Sequence, residues 1–296
     1  MVWCSGWRLA SAVSNAGGLG LIGSGSMSPE ILRKHIRKCK AATANPFGIN
    51  VPLIAGKAEE VLNLIVEEGI KIVFTSAGNP ATWSGFLKEK GITLVHVVSS
   101  SKFAVKAQNA GVDAVVAEGF EAGGHNGREE TTTLCLIPAV ADAVTIPVIA
   151  AGGIAGGKAM LAAFALGAEG VQIGTAFATS EESSAHLNFK KAIIDSGEGD
   201  TKLSLKQLVP VRLLKNEFAR AVEKAEVRGA GIEELAAILG KGRSRIGMFE
   251  GDLQQGELEI GQVSASLKEI KPAAQVVDEI WREFMQAKEQ IASLKI

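Results

Sequence analysis

The chain has 296 residues, with 31 Lys and Arg against 32 Asp and Glu, a formal charge of −1, and is 47% hydrophobic and 21% charged. That balance belongs to a globular protein and excludes a general nucleic-acid or membrane-surface binder, which needs a strongly basic face. Cys4, Cys39 and Cys135 are scattered; they suggest neither a disulfide scaffold nor a cysteine metal site and fit a reducing cytoplasm. The opening Met1-Val-Trp-Cys-Ser-Gly-Trp-Arg8 lacks the basic and apolar blocks of a signal peptide, and no run has the 18 or so apolar residues of a membrane span. The 34 glycines and the absence of tyrosine point to close strand–helix packing.

A helix over Trp7–Asn15 comes first, with no strand before it. Short, nearly continuous apolar runs then read as buried parallel strands: Leu19–Ile22, Phe47–Val51, Lys71–Thr75, Thr93–Val98, Ala114–Ala117, Val148–Ala151 and Gly170–Ile173. Helices fall between them, among others over Pro29–Cys39, Ala58–Glu68, Ser101–Ala110 and Lys158–Leu166, several closed by a glycine at the C-cap. Repeated β-α units imply a parallel sheet, and the economical reading is a TIM-type (β/α)8 barrel whose first strand precedes Met1. The rhythm breaks near residue 180, so three parts are expected: a barrel over 1–180, a lid of mixed helices over 181–270, and a C-terminal helix over 271–296 that completes the barrel. That last helix carries Ala273, Val276, Val277, Ile280, Trp281 and Phe284 on one face.

Two familiar phosphate patterns fail on context. Gly18-Leu-Gly-Leu-Ile-Gly23 ends a helix and contains a strand, whereas a dinucleotide fingerprint follows a strand and opens a helix. Gly152-Gly-Ile-Ala-Gly-Gly-Lys158 is followed by Ala159, without the hydroxyl that a nucleotide-hydrolysing loop uses to hold magnesium. A stronger signal is the pair of corners at the ends of the last two strands, Gly152-Gly153 and Gly174-Thr175. In barrels these loops commonly form a phosphate site, where glycine lets backbone N–H groups approach an anion and Thr175 adds a hydroxyl.

The strand before them ends in Glu118-Gly-Phe-Glu-Ala-Gly-Gly-His125. His125 follows paired glycines at a strand's C-terminal end, and imidazole titrates where proton transfer is useful. His96 reads as a barrel-layer residue, His35 as a solvated group on a charged helix, and His186 has no assignment. The run Arg33-Lys-His-Ile-Arg-Lys-Cys-Lys40 reads first as a solvated helix face and alternatively as a dock for an acidic protein.

Glu118–His125, Ala150-Ala-Gly-Gly-Ile154 and Gln172-Ile-Gly-Thr175 resemble the barrel flavoproteins that include nitronate monooxygenases (formerly 2-nitropropane dioxygenases) and flavin-dependent class II enoyl-acyl-carrier-protein reductases. Glu182–Lys190, Phe249–Asp252 and Gly261-Gln262 are similar to segments of the reductase branch. The resemblance implies FMN, with its phosphate on Gly152, Gly153, Gly174 and Thr175 and with Gln172 among the cofactor contacts. It places the ring system near Met1, Asn50, Ser76, Gly123 and Gly124, with His125 as the catalytic residue and no metal. Met1 aligns with the last residue of the family's Gln-Gly-Gly-Met strand end. The implied reaction is reduction of trans-2-enoyl-acyl carrier protein with NAD(P)H in fatty-acid synthesis; the alternative is oxidation of alkyl nitronates with FMN and O2. Acyl carrier protein and a small-molecule substrate are the partners implied, and a homodimer is the assembly the resemblance allows.

Overall fold

The structure, a computed structural model, describes residues 1–54 and 56–294. Its barrel part runs α1 (Trp7–Asn15), β1 (Gly20–Gly23), α2 (Pro29–Ala42), β2 (Phe47–Pro52), α3 (Ala58–Glu67), β3 (Ile72–Ser76), α4 (Ser84–Glu89), β4 (Thr93–Val98), α5 (Ser101–Asn109) and β5 (Ala114–Glu118). A short strand β6 (Gly124–His125) follows, then α6 (Thr133–Ala141), β7 (Val148–Ala151), α7 (Gly157–Ala165), β8 (Gly170–Gln172) and α8 (Thr175–Ala178). The chain continues through α9 (Leu187–Ile194), β9 (Thr201–Ser204), β10 (Val211–Leu214), α10 (Glu217–Val227), α11 (Ile232–Leu239) and the long α12 (Ala273–Ala292).

Seven strands form one curled parallel sheet in the order β1-β2-β3-β4-β5-β7-β8, the wall of a TIM-type barrel. Side chains alternate across it. Ile22, Ile49, Val73, Leu94, Val115 and Val148 face outward and pack with Leu32, Ile36, Leu62, Ile65, Leu136 and Ile137 of the surrounding helices. Phe74, Val95, Ala114, Val116 and Ala151 face inward, with Leu21, Ile72, Val97 and Ile149 against them. Burial on both faces is why these strands read as unbroken apolar runs.

Among the described residues β1 and β8 bound the sheet. The first residues lie between these edges. Met1 O accepts from Ser5 N (3.2 Å), Ser5 O accepts from Gly23 N (3.0 Å), and the Met1 sulfur stands 3.8 Å from where a Cβ on Gly174 would be.

Glycine at position 20 is dictated by packing: a Cβ there would fall 1.9 Å from the Ala10 carbonyl oxygen of α1. The glycines of Gly18–Gly23 therefore serve helix–strand contact, in keeping with their rejection as a nucleotide fingerprint. At the other end of the barrel Gly157 lets α7 meet α12, where a Cβ would lie 2.0 Å from Phe284 N. Glu182 Oε2 accepts from Ala273 N (2.8 Å) at the start of α12.

The polar segment after α8 is not built of helices alone, as its sequence suggests. β9 and β10 join β6 in an antiparallel sheet of order β6-β10-β9. Val211, Leu213 and Leu205 of this sheet region pack on Phe218 and Val222 of α10 and Leu235 of α11. The strands are four residues long or fewer and draw a partner from the barrel loop, so no local periodicity announces them.

Three histidines are structural. His35 is half-buried rather than solvated: its Nδ1 accepts from Trp7 N (3.1 Å) and caps α1, whose N-cap residue is Gly6. His186 caps α9 by accepting from Asn188 N (3.1 Å). His96 lies on the helix-facing side of β4, with Nδ1 2.8 Å from Thr75 Oγ1. Burial lowers its pKa from 6.5 to about 4. A depressed histidine pKa stabilises the fold above pH 6.5 and loses that contribution as pH falls toward 4. We predict that the stability of wild type relative to His96→Gln, measured by urea unfolding, declines by about 2 kcal/mol between pH 7.5 and 5.

Candidate active site at the barrel mouth

The inward-facing residue at the end of each strand follows from the alternation. Continuing the inner series of Leu21, Phe74, Val116 and Ala151 by register brings Gly23, Asn50, Ser76, Glu118 and Gln172 to the inner side of the C-terminal mouth. Asn50, Ser76, Glu118 and Gln172 are all part-exposed there. The side-chain amide of Asn50 donates to Phe74 O and Ser76 Oγ, both at 3.4 Å. Three of these positions, Asn50, Ser76 and Gln172, are cofactor contacts implied by the sequence; Glu118 is an addition from the structure.

Beside this ring lie the two glycine corners. Gly152 (φ 89°) and Gly153 (φ 67°) adopt the left-handed conformation that L side chains resist. A Cβ on Gly152 would stand 2.6 Å from Gly119 O, and one on Gly153 would meet the Glu121 side chain at 3.5 Å. Among the described residues, the backbone N–H groups of Gly152, Gly153, Gly174 and Thr175 donate to no protein acceptor. Four unpartnered donors at adjoining strand ends make a cradle for an anion. Thr175 Oγ1 accepts from Gly261 N (3.2 Å), which leaves its own hydrogen free to donate into the same cradle.

The loop after β5 joins the barrel to the lid. Gly123 leaves no room for a side chain, since a Cβ would lie 2.4 Å from the Ile260 carbonyl carbon, and Gly124 (φ 79°) faces Glu259 Oε2 at 2.6 Å from such a Cβ. Gln262 N donates to Glu121 O (3.0 Å). Glu121 also accepts from Thr133 N at 3.0 and 3.1 Å and from Thr133 Oγ1 at 2.9 Å. His125 is exposed and pairs with Val211 of β10. One edge of β10 is thus shared end to end, by Gly124–His125 at its start and by Leu258–Glu259 at its end. Arg212 is buried with its guanidinium 4.7 Å over the Phe120 ring, and it donates to Phe120 O through Nε (3.1 Å) and Nη2 (2.8 Å).

Burial raises the pKa of three carboxyl groups near the mouth and lid. Burial pushes Glu118 from 4.5 up to about 7, opposed by the amino group of Met1. Burial also pushes Glu257 up to about 7, with the Glu259 carboxyl adding and Arg243 opposing. Glu259 is raised by burial, which the charge of His125 and the Met1 amine partly offset. Sequence reading left these groups without a role, because their burial arises only when lid and barrel meet. The basic run, in contrast, is paired in part within the chain. Arg33 pairs with Glu67 (2.8 Å) and Glu68 (2.9 Å), and Arg37 with Glu68 (2.9 Å), while Lys34 and Lys38 enter no ion pair with a described residue.

Fold and site together define a TIM-type barrel with unpartnered backbone donors at its mouth. The family model described as nitronate monooxygenase matches residues 1–283, and the chain belongs to that family of FMN-dependent oxidoreductases. Among solved structures it is similar to FabK from Thermotoga maritima, 42% identical with a TM-score of 0.94, covering 99% of this chain and 93% of that one. It is also similar to a nitroalkane oxidase from Streptomyces ansochromogenes, 28% identical with a TM-score of 0.84 over 98% and 95% of the two chains. A protein named "Probable nitronate monooxygenase" from Staphylococcus saprophyticus is 34% identical over 71% of this chain and 72% of its own length. A Rhodococcus jostii hydroxy-methyl-oxo-octahydroindene-carboxyl-CoA dehydrogenase is 36% identical over 75% of this chain but only 63% of its own length. No helix among the described residues is long and apolar enough to cross a membrane.

Two outcomes test this geometry. Gly152→Ala destabilises the fold by about 2 kcal/mol or more, from left-handed strain plus overlap with Gly119 O, while Gly174→Ala, with φ outside that region, stays within about 0.5 kcal/mol of wild type in urea unfolding. Glu257, whose pKa is raised on folding, favours the folded state below pH 4.5 and loses that contribution as pH rises through 7. Glu257→Gln is therefore more stable than wild type at pH 8, by up to about 3 kcal/mol, and the gain disappears near pH 4.5.

Proposed function

We propose that this protein reduces the double bond of trans-2-enoyl thioesters carried on acyl carrier protein, with NAD(P)H as reductant. The observation carrying this reading is the likeness to FabK, which extends through barrel and lid over 99% of the chain. The cradle fits the phosphate of FMN: its unpartnered N–H groups and the free Thr175 hydrogen are the donors a dianion requires. Asn50, Ser76 and Gln172 on the inner ring suit the polar edge of a flavin, and the Gly123–Gly124 stretch allows close approach. FMN held by these residues would supply the hydride relay between NAD(P)H and the β-carbon of the enoyl group.

The chain's own groups supply position and a proton. The lid segment Glu259–Gln262 covers the cradle and limits water at the mouth, with Gly261 held on Thr175 and Gln262 on Glu121. Arg212 fixes the Phe120 carbonyl and so the course of the loop that ends at His125. His125 donates the proton that the α-carbon takes up. Acyl carrier protein as partner rests on the likeness to FabK alone, since Arg33 and Arg37 already answer Glu67 and Glu68. Oxidation of alkyl nitronates with O2 is the second reading, favoured by the family model and the staphylococcal relative.

Anaerobic stopped-flow mixing separates the two. A reductase bleaches its flavin absorbance with NAD(P)H and regains it on addition of an enoyl thioester. Bleaching by nitronate with no response to NAD(P)H assigns the second reading. For His125→Ala we expect a drop of 10²-fold or more in enoyl reduction, the size of a general-acid contribution, with flavin bleaching by NAD(P)H preserved. Full enoyl reduction by this variant removes His125 from the mechanism.

A further inference from the structure

Glu118 stands apart from the other residues of the inner ring. It is the only ionisable side chain among Gly23, Asn50, Ser76, Glu118 and Gln172. Its carboxyl receives no hydrogen bond from any described residue and enters no ion pair with one, although it ends β5 at the mouth. Asn50 commits its amide hydrogens to Phe74 O and Ser76 Oγ and so turns an acceptor toward the opening. A carboxylate can only accept, whereas a neutral carboxylic acid donates one strong O–H. A flavin ring has one N–H donor, at N3, for which the Asn50 amide oxygen is a suitable acceptor; its other polar atoms, two carbonyl oxygens and bare ring nitrogens, are all acceptors.

The charged and titratable groups on the surrounding segments do not supply a counter-ion that would hold Glu118 ionised. Among the described residues the Met1 amine alone acts on it as a cation, and burial outweighs that charge. Arg212 is engaged with the Phe120 ring and carbonyl. Glu121 is anchored at Thr133, Glu259 hangs over Gly124, and both carry the same sign as Glu118. His125 is charge-linked to Glu259, and His96 faces the helices and bonds Thr75.

We infer that Glu118 meets the flavin ring as a neutral carboxylic acid, so that binding of FMN takes up one proton and flavin affinity falls as the medium becomes alkaline. The inference rests on the FMN reading above and adds to it a pH-dependent grip on the cofactor. Proton balance is simple: ionised Glu118 plus one proton from solvent plus FMN gives the complex with the acid form, and release reverses it.

The test is titration of cofactor-free protein with FMN, followed by quenching of flavin fluorescence, between pH 6.5 and 8.5. With a free-protein pKa of about 7 and binding confined to the acid form, Kd rises about 25-fold across that range. Glu118→Gln keeps the low-pH affinity and is flat within about threefold. A wild-type Kd that is flat or falls with pH overturns the inference, as does a slope that survives in Glu118→Gln. Should that variant not fold, calorimetry of wild type at pH 8 in two buffers of different ionisation enthalpy decides the matter. Uptake near one proton per FMN supports the inference, and zero uptake overturns it. Failure of wild type to bind FMN at any pH instead overturns the underlying cofactor reading, and is distinct from binding that ignores pH.

Discussion

The whole arrangement depends on close backbone contact between the loop after β5 and the lid. At Gly123 the backbone of Ile260 and Gly261 comes so near that a single methyl group would overlap it. That approach puts Gly261 N on Thr175 Oγ1 and Gln262 N on Glu121 O, two hydrogen bonds that span barrel and lid. Nothing larger than glycine permits both. The same contact sets Glu259 over Gly124 and brings β6 into the lid's sheet, so one backbone seam fixes the position of His125, the burial of Glu259 and the cover above the anion cradle.

Around that seam the barrel is ordinary, and its regularity is what makes the site. Parallel strands buried on both faces place every second residue inside, and the last inward position of each strand meets the mouth whatever its chemistry. In four of the seven strands that position is polar, Asn50, Ser76, Glu118 and Gln172 standing above the apolar layer of Phe74, Val95, Val116 and Ala151. The outer positions stay apolar, or satisfy a polar group locally, as Thr75 and His96 do for one another. A change of character confined to one end of one face has no packing purpose, and it marks where the protein meets its ligands.

Most of the barrel was legible because two-sided burial writes itself into composition. The run Thr93–Val98 coincides with β4 and Val148–Ala151 with β7, and the helix over Trp7–Asn15 is α1 to the residue. The glycine corners were legible for a similar reason, since the need for a left-handed turn at a strand end leaves glycine as the residue of choice. What escaped reading depends on partners distant in sequence. β10 exists by pairing with Gly124–His125 some 86 residues earlier (Val211↔His125). His35 on a charged helix looks solvated until α1 is seen to end against it. The run Arg33–Lys40 looks like a free basic face until α3 presents Glu67 and Glu68. Glu259 carries no local mark that it will lie over Gly124.

The raised carboxyl groups bear most directly on function. A protein optimised for stability alone would not bury Glu118 and Glu257 with pKa values near 7, because each then opposes folding at neutral and alkaline pH. Glutamine would fill nearly the same space at Glu118 without that penalty. Structural burial accounts for Glu257, which sits in the lid segment beside Arg243 and Glu259 and donates its N–H to Arg243 O. It does not account for Glu118, whose carboxyl points into the mouth with no partner of its own. An unpaired acid at the mouth end of β5 that opposes folding is what the inferred role toward a ligand requires. On the proposed reading the cradle and the inner ring divide the work: fixed backbone donors would hold the anionic end of the cofactor, while a titrating side chain would meet its ring.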